Sequence, residues 1–115
     1  MRAMSATLLC LAIAALAAPA SARKADAFYC YWVDAPAKQA GVTAIFPGNR
    51  LKQKSITGVF AMDMQKRQPN KGRKYECPWQ AEPEDAEEER AGFVATHEDL
   101  GFRVHALGWN PMTRY

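Results

Sequence analysis

Downstream of residue 22 the chain carries two cysteines, Cys30 and Cys77, two histidines, His97 and His105, and a single serine, Ser55. These are the side chains that could act as nucleophiles, bases or metal ligands. A nucleophile needs a base in reach and a group that orients the base. Ser55 lies in K-S-I-T-G and has no G-x-S-x-G setting. Glu98 and Asp99 are adjacent, so on a helix they diverge and make a poor acid–base pair. His105 with Glu76 is the pair a minor envelope hydrolase or transferase would use. Cys30, Cys77, His97 and His105 form a formal Cys2His2 set, but neither a C-x2-4-C nor an H-x3-5-H spacing exists. We therefore expect no metal, no cofactor and no catalysis. The better use of the cysteines is a Cys30–Cys77 disulfide, whose loop of about 48 residues gives roughly 4 kcal/mol in the chain-entropy picture.

That pairing needs an oxidising compartment, and the N-terminus points to one. Arg2 is followed by an Ala/Leu/Ile run from Thr7 to Ala18. Pro19 breaks the run, and Ala20-Ser21-Ala22 is an A-x-A cleavage pattern. This is the layout of a secretory signal peptide over residues 1–22. Its apolar run of about 12 residues is shorter than the ~20 a bilayer span needs. Cys10 leaves with it, and its neighbours Leu8 and Leu9 do not suit lipid attachment. The Ala-rich run suits a bacterial exporter, so residues 23–115 are expected as one small periplasmic or extracellular domain with no stable membrane insertion. Of the 56 apolar residues in the chain, 17 fall in residues 1–22. The remaining core is modest, as expected for a domain of this size.

The elements that must position these residues follow from periodicity. Phe28–Val33 is rich in aromatics, as strands are, and Val42–Phe46 is a second short strand before the Pro47-Gly48-Asn49 turn. Residues 51–67 fit both a helical face (Ile56, Val59, Phe60, Met64, Arg67) and strand alternation. Length favours the helix, in which Asp63 and Arg67 would pair at i,i+4. Lys74–Trp79 alternates as a strand, with Pro78 at an edge. Pro83 and the acids after it open a second helix whose inner stripe is Ala86, Arg90, Phe93, Val94 and His97, stopped by Gly101. Phe102–Trp109 is the last strand. The order ββαβαβ implies an α+β fold, with about four strands in a sheet and two helices on one face.

Strand alternation then sorts the side chains. Phe28, Cys30 and Trp32, Tyr75, Cys77 and Trp79, and Phe102, Val104 and Ala106 are assigned to the core. The opposite face would carry Tyr29, Tyr31, Lys74, Glu76, Arg103, His105, Leu107 and Trp109. With both helices on the core side, Tyr29, Tyr31, Arg103, His105 and Trp109 would form an open aromatic and cationic ligand surface. The function expected is that of a small exported, non-catalytic binding or interaction domain, its ligand a cell-envelope polymer or a protein partner. The alternatives are the minor hydrolase or transferase above and a structural accessory subunit. From Arg50 to Lys74 there are eight bases against Asp63 alone, and from Glu82 to Glu89 six acids and no base. The mature chain has only 14 bases against 12 acids, which gives nucleic-acid binding little support.

Overall fold

A computed structural model describes residues 24–112; the signal-peptide reading for 1–22 lies outside the described residues. The elements are β1 (Asp26–Phe28), β2 (Tyr31–Asp34), β3 (Gln39–Thr43), β4 (Phe46–Gly48), a 3-10 turn (Arg50–Lys52), α1 (Gln53–Arg67), β5 (Lys74–Glu76), β6 (Trp79–Gln80), α2 (Pro83–Asp99) and β7 (Arg103–Leu107). The fold is α+β with one disulfide, Cys30–Cys77. No described helix is long and apolar enough to cross a membrane.

The first three strands read from the sequence each divide in two. One half enters a three-stranded sheet ordered β4-β1-β6, and the other a four-stranded sheet ordered β5-β2-β3-β7. Between the halves the backbone turns a corner, and its hydrogen bonds are re-routed there. Cys30 N–H donates to the Thr43 hydroxyl at 2.9 Å instead of to the Thr43 carbonyl. That hydroxyl donates to Ala44 O, and the Thr43 carbonyl accepts from Arg90 Nε of α2 at 2.6 Å. The Cys30 N–H and the Thr43 carbonyl are thereby both satisfied. Cys30 and Cys77 stand on two of the turning strands, so the disulfide ties the corner together. Both are fully buried.

The two helices cover opposite faces of the four-stranded sheet, not one face as the periodicity led us to expect. Trp32 pairs across the ladder with Tyr75 and with Gly41, so these three share a face. On that face Phe60 of α1 meets the Tyr75 ring edge-on at 5.9 Å, and Gln65 donates to the Tyr75 hydroxyl. Tyr31, one residue earlier, points the other way and lies 4.3 Å from the Phe93 ring of α2. Chain direction explains the difference. β3 and β5 both run antiparallel to β2, while β7 runs parallel to β3. Both helices thus connect strands that run the same way, and such crossovers are right-handed. The first travels from β3 towards β5, the second back past β2 and β3 to β7. Two right-handed crossovers in opposite directions cover opposite faces.

The sheet is therefore lined on both sides. Phe28, Cys30, Trp32, Phe46, Phe60, Met64, Cys77 and Trp109 form the main core beneath α1, with Ile56, Val59 and Leu107 packed at its margin. The helix expected for the ambiguous segment runs from Gln53 to Arg67, after a 3-10 turn capped by Asn49, whose side chain accepts from Leu51 N–H. In the second helix Ala86 is buried, and Arg90, Phe93, Val94 and His97 lie half-buried on the expected stripe.

Candidate functional site

The five residues expected to share one open face do not. Tyr29 is 2 % exposed and Trp109 3 % exposed. Tyr29 lies under α2, where its hydroxyl donates to Glu89 at 2.7 Å. Burial first, then Glu89, pushes this phenol far above its usual range. Tyr31 is half-buried beside Phe93, and its phenol is raised in the same direction, chiefly by burial. Trp109 is in the opposite core, against Phe46 and Phe60, with its indole N–H donated to Asp63 at 2.9 Å. Only Arg103 and His105 are exposed, and they are on the α1 side, not the Tyr31 side.

The reason is the phase of the last strand. β7 pairs with β3 in parallel, with Gly41 opposite His105 and Gln39 opposite Arg103. Arg103, His105 and Leu107 therefore share a face with Trp32. Val104 and Ala106, assigned to the main core, face α2 instead. Alternation orders side chains within a strand, but it does not say which set of one strand meets which set of the next. The same register separates His105 from Glu76. Glu76 pairs with Tyr31 on the other face, two strands away, so the acid–base pair does not assemble. Among the described residues there is no group of three His, Cys, Asp or Glu placed to hold a metal.

Beyond the end of α1, the sheet carries a different constellation. The Trp32 indole lies across Gly41 and reaches the His105 ring at 6.3 Å, inclined by 26°. The Arg73 guanidinium stacks on the indole, 3.7 Å from its centroid. Such a stack combines cation–π attraction with flat apolar contact. Arg73 Nη2 donates to Gln68 Oε1 at 2.9 Å, while its Nε is shielded from water and has no hydrogen-bond partner. His105 Nε2 is 2.6 Å from Gln39 Oε1. With that amide oxygen as acceptor, the ring donates through Nε2. Arg103 stands two residues away on the same face. Neither Arg73 nor Arg103 forms an ion pair with the described residues. Asp34, the carboxylate on this face, already accepts from Asn70 Nδ2 and Ala37 N.

The row Arg73–Trp32–His105, with Arg103 and Gln39 beside it, thus sets two arginines, neither ion-paired among the described residues, next to an aromatic edge. Such a set suits a carboxylate or phosphate oxygen carried on a group with a flat face. Sequence reading missed Arg73, Gln39 and Trp32 as members. The available signal was Gly41: a glycine inside a strand marks a close approach, and here an ideal Cβ would sit 2.5 Å from the indole nitrogen of Trp32.

Elsewhere, a groove of about 590 Å³ is lined by Lys24, Asp26, Gly48, Asn49, Arg50 and Leu51. Its charges are committed: Arg50 pairs with Asp26 and stacks on Trp79, and Lys24 pairs with Glu82. No protein-family model matches the chain, and comparison with curated proteins and with solved structures finds no similar one.

Proposed function

We propose that the protein is a small exported, non-catalytic binding domain that holds an anionic polymer of the bacterial cell envelope through Arg73, Arg103 and His105. What carries the reading is the pair of arginines, neither in an ion pair with the described residues, beside the Trp32–His105 row. The ligand chemistry is an anionic oxygen, from a uronate or from a phosphodiester. Export rests on the leader at 1–22 and on the disulfide, which an oxidising compartment sustains. The mature domain acts in the periplasm or outside the cell.

The test is retention on immobilised polygalacturonate and on immobilised polyphosphate. Retention on the first matrix only assigns a carboxylate ligand, and on the second only a phosphate. The double variant Arg103→Ala with His105→Ala should lose at least tenfold in affinity. Its unfolding midpoint should hold, since both side chains are exposed and substitutions at such positions cost under about 0.5 kcal/mol. Equal retention of the variant, or no retention of the wild type on either matrix, removes the proposal.

A further inference from the structure

The opposite placement of the helices also separates charge. From Arg50 to Arg73, on the 3-10 turn, α1 and the loop after it, seven bases face a single acid, Asp63. Asp63 is turned inward to Trp109. From Glu82 to Asp99 eight acids face a single base, Arg90, and Arg90 is turned inward to the Thr43 carbonyl. The two ion pairs formed among the described residues are Lys24–Glu82 and Arg50–Asp26, and neither links α1 to α2. With the sheet between them, the two sets do not neutralise each other within one molecule. Lys52, Lys54, Lys66 and Arg67 are exposed on one side, and Glu84, Glu88, Glu98 and Asp99 on the other. Between those acids lie exposed Ala91, Gly92 and Ala95, small residues that let another surface come close.

We infer that copies of this chain associate head to tail, the basic α1 side of one against the acidic outer face of α2 of the next. Second copies meet the charge requirement on both sides at once, because each copy carries near-equal and opposite charge on opposite faces. The contact is heterologous: it uses two different surfaces, leaves one of each free at the ends, and so repeats. It is electrostatic, hence dispersed by salt as the Debye length shrinks from about 20 Å in dilute buffer to a few ångström. Arg73 belongs to both surfaces, but the variants below leave Arg73, Arg103 and His105 in place, so this inference and the anion-binding reading fail separately.

The experiment is molar mass by light scattering on the full chain as the cell processes it, in about 20 mM and about 0.5 M salt. The expected result is a mass that grows with protein concentration at low salt and returns to one chain at high salt. Two charge-reversed variants complete the test, Lys54→Glu with Lys66→Glu and Glu88→Lys with Asp99→Lys, their folds checked by circular dichroism. Each alone should be monomeric at low salt, since the first sets two introduced acids against the exposed Lys52 and Arg67 and the second sets two introduced bases against the exposed Glu84 and Glu98. An equimolar mixture should associate again in pairs, because the unaltered acidic α2 face of the first meets the unaltered basic α1 side of the second. A single-chain mass for the wild type at low salt overturns the inference. So does association that persists in 0.5 M salt, or a mixture no heavier than its components.

Discussion

At Gly41 the side chain is absent so that Trp32 can lie flat across the strand. A methyl group there would meet Trp32 Nε1 at 2.5 Å and Leu107 Cδ1 at 2.9 Å. Trp32 is 5 % exposed and held beneath Arg73, so it has little room to yield. Gly41→Ala should therefore destabilise the fold by about 1–3 kcal/mol, the usual cost of overpacking. It should also weaken polyanion retention, because the indole that spaces Arg73 from His105 is displaced. Urea denaturation reads the first effect and matrix retention the second. Intact retention with lowered stability would mean that the indole serves packing alone. Thr43 makes a complementary point. Its hydroxyl both accepts and donates at the sheet corner, and a buried donor left unpaired there would cost about 1–3 kcal/mol.

At the scale of elements, the periodicity of the sequence is informative within each segment and silent between segments. The inner stripe of α2 is readable because Pro83 and the acids mark its start and Gly101, at φ 87°, its stop. The division of three strands at a corner is not readable, since alternation continues through residues 28–33 while the hydrogen bonds change partners. The side of the sheet taken by each helix depends on strand order, and so does the whole candidate surface. Placing Tyr31 beside His105 requires the opposite phase of β7 against β3, and leaving that face open requires both helices on one side; local periodicity determines neither. Both helices also carry a glycine on their solvent face, Gly58 in α1 and Gly92 in α2, and a methyl group on either would meet nothing within 4 Å. Neither glycine serves a turn or a close approach within the chain. Gly58→Ala and Gly92→Ala should each stabilise by about 0.5–1 kcal/mol through helix propensity and a less flexible unfolded chain. A thermal midpoint unchanged or lowered in both would contradict the solvent-facing placement.

The whole molecule is a bent sheet between two helices of opposite charge, cross-linked where its strands turn. Its main core is small, and the Cys30–Cys77 bridge supplies roughly 4 kcal/mol in the chain-entropy picture, comparable to the net stability of a domain of this size. One row, Arg73, Arg103 and His105, forms no ion pair among the described residues, and the account of function rests on it. The most direct test is a map of backbone and side-chain chemical-shift changes as oligogalacturonate or short polyphosphate is added to the protein at about 150 mM salt, where exposed charges are screened beyond about 8 Å. The account predicts that the shifts cluster at the Trp32 indole N–H, Gln39, Arg73, Arg103 and His105, with the α2 face silent. Shifts centred on Tyr29, Tyr31 and α2, or none at saturating ligand, would contradict it.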